Sequence, residues 1–97
     1  MHVRTSIIRL VPGTYEEAIA LFRDIILPSA QEQKGFKGAQ IQHSDSDPNR
    51  LIIMSFWASV EDLLASEPPA EIHMHMERLG ELIENTDQDN YFVVHRM

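Results

Sequence analysis

Histidine is the residue type best suited to proton transfer near neutral pH, and two of the five histidines of this chain lie in the short run His73-Met74-His75. His75 follows Ile72 by three residues and precedes Leu79 by four, so on a helix it lies on or beside an apolar stripe. We therefore take His75 as the candidate catalytic base; the alternative is a boundary histidine with a structural hydrogen bond. On a regular helix His73 is turned roughly 200° away from His75, so the two imidazoles cannot bind one metal ion.

Two further side chains on predicted strands could contact a ligand. Arg9 lies in an otherwise apolar segment, and a guanidinium there must find a carboxylate, a carbonyl oxygen or an anionic ligand. Trp57 ends another apolar segment, where its ring could line a pocket for a flat aromatic molecule while its N–H finds a polar partner. The alternatives are a salt bridge for Arg9 and a core or dimer-contact position for Trp57.

The first third of the chain predicts a strand followed by a helix. Residues Val3–Val11 are rich in Val, Ile and Thr and end at a proline-glycine turn. Thr14 and Glu17 have the spacing of a capping box, and apolar residues at helical spacing follow them. We expect Pro28 to kink this helix and Gly35 to end it.

The rest of the chain predicts a hairpin, two helices and a closing strand. The hairpin pairs Phe36–Ser44 with Leu51–Trp57 across a turn rich in Asp, Ser, Pro and Asn. Ser59 is the predicted cap of a short helix that ends near Ala65. The remaining predicted elements are a helix from the proline pair to about Asn85, a polar loop over Thr86–Asn90 and a strand over Tyr91–Met97.

This β-α-β-β-α-α-β order predicts one α+β domain over residues 1–97, with a ferredoxin-like four-stranded antiparallel sheet and helices on one face. The segment Leu51–Trp57 is apolar at both odd and even positions, which indicates that both faces of the sheet are buried. The helices of one chain can cover only one face. We therefore expect a homodimer in which two sheets pack face to face.

Composition excludes several classes of function. The 97 residues carry a net charge of −7, which argues against a nucleic-acid partner because phosphate binding requires clustered Lys and Arg. The chain has no cysteine for disulfides or thiolate chemistry, and no apolar run approaches the roughly 18 residues of a membrane span. We expect a cytoplasmic protein without a membrane partner.

The order of elements, the Gly35-Phe36 pair and the stretch SFWASVEDLLASEPPAEIHMHM, Ser55 to Met76, resemble the antibiotic biosynthesis monooxygenase family. The resemblance covers nearly the whole chain. It implies a dimeric ferredoxin-like α+β barrel with a small pocket between the sheet and the helices of each subunit. The family includes cofactor-independent oxygenases of phenols and quinones as well as heme-degrading enzymes.

The resemblance implies a cofactor-independent monooxygenase of a small phenolic, quinone-like or polyketide-type aromatic molecule, with His75 as base. The residues expected to bind the substrate are Ser6, Arg9, Trp57 and His73. The alternative is a dimer of the same fold that binds a small molecule or heme without catalysis. Heme-degrading members use an Asn in the first strand, where Ser6 stands here, a Trp in the second helix, which has none here, and a His in the third, for which His73 or His75 remains.

Overall fold

The computed structural model describes all residues, 1–97, and confirms the predicted order of elements and the ferredoxin-like α+β fold. The elements are β1 (His2–Leu10), α1 (Tyr15–Leu21), a π-helical turn (Phe22–Ile26), α2 (Leu27–Ala30), β2 (Phe36–His43), β3 (Arg50–Trp57), α3 (Val60–Ala65), a 3₁₀ turn (Ala70–Ile72), α4 (His73–Leu82) and β4 (Ile83–Phe92). None of the helices has both the length and the apolar composition that a membrane crossing requires.

The four strands form one antiparallel sheet in the order β2-β3-β1-β4. β1 is central, so Ser6 faces Ile53 of β3 on one side and Gln88 of β4 on the other. Because side chains alternate along a strand, Ser6 and Ile8 project to the helical side of the sheet, whereas Ile7 projects to the open side. The helices thus cover one face, as the sequence predicts.

The hydrophobic core fills one part of the space between the sheet and the helices. Its buried members come from the two central strands, from the segment of α1 and the π turn, and from α4. They are Ile8, Leu10, Ala18, Leu21, Phe22, Leu51, Ile53, Leu79 and Leu82. The side chains on this face follow the alternating pattern of each strand and the helical spacing of α4.

The predicted capping box at the start of α1 is wrong. Thr14 accepts no helix N–H; its hydroxyl instead donates to the carbonyl oxygens of Val11 and Leu82, which fixes the β1–α1 turn against the end of α4. Glu17 does not turn back to the cap either. Its carboxylate binds the guanidinium of Arg78 at 2.6 and 2.7 Å, which joins α1 to α4.

The irregularity expected at Pro28 takes the form of the π-helical turn just before it. The N–H of Leu27 donates to the carbonyl of Phe22, five residues back, and Pro28 itself has no N–H to continue the ladder. The chain nevertheless stays helical to Ala30. The wider turn places Phe22 and Ile26 on the sheet side of this segment, where both contact the space described below.

The predicted end of the chain is wrong: α4 stops at Leu82, and the strand spans Ile83–Phe92 where a loop over Thr86–Asn90 and a strand over Tyr91–Met97 were expected. β4 is an edge strand whose side chains after Ile83 are all exposed, so it needs no apolar alternation. Its conformation comes from backbone pairing with β1, from His2 opposite Phe92 to Leu10 opposite Ile83.

Candidate functional site

A cavity of about 210 Å³ lies between the helical face of the sheet and the helices, beside the core. Its size is below the roughly 300–1,000 Å³ typical of drug-sized ligand sites, so it suits a small ligand of one or two rings. The apolar part of its wall includes Ile8, Phe22, Ile26, Ile53, Trp57 and Met76. Glu67 and Pro68, which are exposed, mark a place where the wall reaches the surface.

Four polar side chains of the sheet form what we call the polar floor of the cavity: Arg4, Ser6, Ser55 and Gln88. Strand pairing brings them together, since Arg4 lies directly opposite Ser55 and Ser6 directly opposite Gln88. Directly opposed residues share a face of the sheet, with Cβ atoms about 4.5–5.5 Å apart. The cavity therefore combines apolar side chains from both the sheet and the helices with a cluster of polar side chains on β1, β3 and β4.

Both serines of the polar floor accept a hydrogen bond from a neighbouring side chain. The indole N–H of Trp57 donates to Ser55 Oγ at 2.9 Å, and Gln88 Nε2 donates to Ser6 Oγ at 3.0 Å. Neither hydroxyl donates to another protein group. A serine hydroxyl has one proton and two lone pairs, so each keeps its proton available for a ligand.

Arg4 is the cation of the polar floor. Of the eight Lys and Arg residues it alone is half-buried, while the other seven are exposed. Its guanidinium donates to Ser66 Oγ at 3.1 Å and to the carbonyl of Leu63 at 2.9 Å, both neutral acceptors. It takes part in none of the ion pairs of the chain, so its charge has no carboxylate within 4.0 Å.

The perturbed titratable groups lie at surface ion pairs and not in the cavity. The pKa of Glu17 is lowered by hydrogen bonds from Arg78, and that of Asp24 by its neighbour Arg23. The pKa of Asp47 is lowered first by the backbone N–H of Asn49 and then by the guanidinium of Arg9. These shifts affect the stability of the fold. The groups that can act in the cavity are the charge of Arg4 and the serine hydroxyls.

The structure places two of the predicted site residues in the cavity wall. Ser6 is 9% exposed and lies at the centre of the polar floor. Trp57 is 2% exposed, and it combines the predicted N–H partner with an edge-on contact to Phe36, with ring centroids 5.5 Å apart. Whether either residue binds a substrate stays a prediction.

Arg9 lies on the other side of the sheet, and its predicted place in the pocket is corrected. As an odd-numbered residue of β1 it shares the open face with Ile7, whereas Arg4 and Ser6 face the helices. Its guanidinium binds Asp47 at 2.9 Å, which is the salt bridge considered as the alternative.

His75 and His73 are both exposed, and neither lines the cavity. His75 lies on the same side of α4 as Leu82, which comes seven residues, or almost two turns, later. Leu82 is buried, whereas His75 is exposed. Nothing therefore packs over the first turn of α4 on that side. The residue of this turn that does line the cavity is Met76. The catalytic role of His75 stays a prediction that its position does not support.

Sequence reasoning missed Arg4, Ser55 and Gln88. The signal for Arg4 and Ser55 was the alternation of their strands, since Arg4 has the parity of Ser6 and Ser55 that of Trp57. Gln88 had no such signal, because its segment has no apolar alternation and therefore resembles a loop in sequence.

The residues of the wall do not fit heme. Protein ligands to heme iron are chiefly His, Cys and Tyr, with Met acting as the partner of a His in cytochromes. The wall has no His, Cys or Tyr, and Met76 is its only sulfur-bearing residue. No step through heme is derived for this chain.

Solved structures with the same architecture include a cofactor-independent oxygenase and proposed antibiotic biosynthesis monooxygenases. SnoaB, a cofactor-independent oxygenase from Streptomyces nogalater solved as a mutant, superposes with a TM-score of 0.82 at 14% identity, covering 99% of this chain and 96% of that one. A proposed antibiotic biosynthesis monooxygenase from Nitrosomonas europaea gives 0.83 at 15% identity, with 97% and 90% covered. Another from Chloroflexus aurantiacus gives 0.78 at 18% identity, with 99% and 95% covered. At these identities the likeness shows the fold.

Sequence comparison assigns the family. No curated protein matches the chain. The family profile described as antibiotic biosynthesis monooxygenase matches residues 1–78, which include β1, the hairpin and the first half of α4. This stretch also contains every residue of the polar floor except Gln88. The chain therefore belongs to the antibiotic biosynthesis monooxygenase family.

Proposed function

We propose that the chain is a cofactor-independent monooxygenase that oxidises a small phenolic or quinone-like aromatic molecule in the cavity between its sheet and helices. The observation that carries the proposal is the cavity itself, about 210 Å³, with apolar side chains around a polar floor. Family membership and the fold shared with a cofactor-independent oxygenase support the reaction class.

In the proposed reaction a phenol and O₂ give a quinone and water. The phenol loses its hydroxyl proton, and the phenolate passes one electron to O₂. The phenoxyl radical and superoxide then join in a C–O bond at a ring carbon that still carries hydrogen, and the peroxide oxygen takes up one proton. Loss of that ring hydrogen as a proton breaks the O–O bond, which leaves a carbonyl on the ring and releases hydroxide that becomes water. The substrate supplies all four electrons.

The side chains of the wall would serve this reaction mainly through electrostatics. Arg4 and the hydroxyls of Ser6 and Ser55 stabilise the phenolate and the charge that develops on oxygen. The apolar wall around Trp57 keeps water from the radical pair. Glu67 is the only carboxylate of the wall, and it lies where the phenol proton can pass to solvent.

The test is oxygen uptake by the purified protein, after treatment with a chelator, with catechol, naphthols and dihydroxynaphthalenes. We expect one O₂ consumed per quinone formed. Ala30→Trp places an indole in the cavity wall and should abolish uptake, whereas Ala65→Trp, at an exposed position outside the wall, should retain it. Phenols that bind in the cavity but consume no oxygen would contradict the proposal.

We also propose that the active form is a homodimer joined through the open face of the sheet. That face carries Ile7, 43% exposed, beside the partly exposed Ile52, Met54 and Phe56 of β3. An apolar strip of this kind on a central sheet favours a self-complementary contact. The expected cytoplasmic location is kept as part of this proposal.

A further inference from the structure

We infer that the polar floor is an anion-binding subsite, so that the cavity selects small aromatic ligands bearing a negatively charged oxygen, a carboxylate or a phenolate. The inference rests on the proposed function for the use of this cavity as a substrate site. It adds the chemical class of the substrate and names Arg4 as the residue that determines it.

Arg4 is a half-buried cation without a carboxylate partner. In a chain with 15 acidic residues and a net charge of −7, its half-buried guanidinium is paired with none of them. Its two protein bonds, to Ser66 and Leu63, go to neutral oxygens and leave further N–H donors of the five on a guanidinium. A partly desolvated cation gains most from an anionic partner, and Arg4 lines the cavity.

The two serine hydroxyls of the polar floor are donors that no protein group uses. Trp57 and Gln88 occupy one lone pair each on Ser55 and Ser6, so the protons of these hydroxyls are directed to other partners. The floor thus presents one guanidinium and two hydroxyl donors, while one lone pair of each hydroxyl is already occupied. An array of donors fits a ligand atom that only accepts, which is the property of a carboxylate or phenolate oxygen.

The donors of the polar floor lie close together on the sheet. Arg4 and Ser55 are opposed across β1 and β3, and Ser6 follows Arg4 on the same face, roughly 6.6 Å along the strand. One anionic group can therefore contact more than one of these donors. The only negative group in the wall, Glu67, lies on its exposed part and forms no ion pair with Arg4.

The test uses Trp57, the only tryptophan of the chain, as a reporter within the cavity wall. Quenching of its fluorescence is titrated with three probes of similar size: 4-nitrobenzoate, 4-nitrophenol above its pKa, and neutral 4-nitroanisole. We expect at least one of the two anions to bind about tenfold or more tightly than nitroanisole. A preference confined to nitrobenzoate identifies a carboxylic acid as the ligand class, and one confined to nitrophenolate identifies a phenol.

Variants then identify the residues that cause the preference for an anionic probe. Arg4→Gln should remove it, while Arg9→Gln, which deletes a positive charge from the same strand on the opposite face, should keep it. The double variant Ser6→Ala/Ser55→Ala should reduce it severalfold and serves as the second test if Arg4→Gln fails to fold, as judged by circular dichroism.

Equal binding of all three probes by the wild-type chain would overturn the inference, as would an equal loss in Arg9→Gln and Arg4→Gln. Quenching does not depend on turnover. Anion-selective binding without oxygen uptake would therefore keep this subsite and remove the oxygenase, whereas oxygen uptake with equal probe binding would do the reverse.

Discussion

The hydroxyl of Ser55 depends on its neighbour Trp57, whose indole N–H is its only donor partner in the protein. Trp57→Phe keeps an aromatic ring in the wall but removes this bond. We expect the free energy of unfolding to fall by about 0.5–1.5 kcal/mol, because one partly buried hydrogen bond is lost, together with some packing of the larger ring. Urea unfolding measures the change.

Trp57→Phe should also leave the Ser55 hydroxyl freer to rotate away from the cavity. Ser55→Ala breaks the same hydrogen bond from the other partner, because it removes the acceptor and leaves the indole N–H unpaired. A Trp57→Phe protein that is as stable as the wild type would show that the N–H···Oγ bond contributes nothing to the wall.

At the scale of elements, Gly35 joins α2 to β2 in a conformation with φ of +80°, and a Cβ at this position would clash with the side chain of Asp62 at the start of α3. Gly35→Ala should therefore cost more than about 1 kcal/mol of unfolding free energy. Gly80→Ala is the control within α4, where a Cβ meets nothing within 4 Å and should stabilise by about 0.5–1 kcal/mol. Equal effects of the two substitutions in urea unfolding at one protein concentration would contradict this account.

The ion pair between Glu17 and Arg78 predicts a pH dependence for the contact between α1 and α4. Because Arg78 lowers the pKa of Glu17 in the folded chain, the pair stabilises the fold above the ordinary glutamate pKa. That stabilisation is lost as the pH falls through the lowered value. Glu17→Gln should lower the melting temperature at about pH 7 and have no effect at about pH 2.

Glu16→Gln provides the control for that measurement, since Glu16 is an exposed neighbour without an ion pair. It should change the melting temperature little at either pH. A Glu17→Gln deficit of equal size at both pH values would mean that the residue acts by packing and not by charge.

Sequence patterns predicted the strands and helices that bury an apolar face. They failed for a strand that is defined only by its backbone pairing with a neighbour. β1, the hairpin and the Ser59 cap of α3 were predictable, and Ser59 indeed accepts the N–H of Asp62. β4 was not, because an exposed edge strand has no apolar alternation and only its register with β1 defines it. The family resemblance implies the cavity but not its cation, since Arg9 has the parity of the open-face Ile7 and Arg4 that of Ser6.

At the scale of the whole molecule, the open face of the sheet predicts the oligomeric state. Ile7→Asp puts a charge in the middle of that face and should convert a dimer to a monomer. Leu64→Asp is the matched control, because Leu64 is 65% exposed on α3, away from the sheet face. Sedimentation equilibrium should give twice the chain mass for the wild type and for Leu64→Asp, and a wild-type monomer would contradict the proposed dimer.

In the proposed function, O₂ reacts with a small aromatic substrate inside the cavity without a cofactor. The most direct measurement is mass spectrometry of the quinone formed from a bound naphthol under isotope-labelled O₂, with Ala30→Trp and Ala65→Trp in parallel. We expect one labelled oxygen atom in the quinone and one in water, in the wild type and in Ala65→Trp, and no product in Ala30→Trp. An unlabelled quinone, or equal product from Ala30→Trp, would contradict the proposed function.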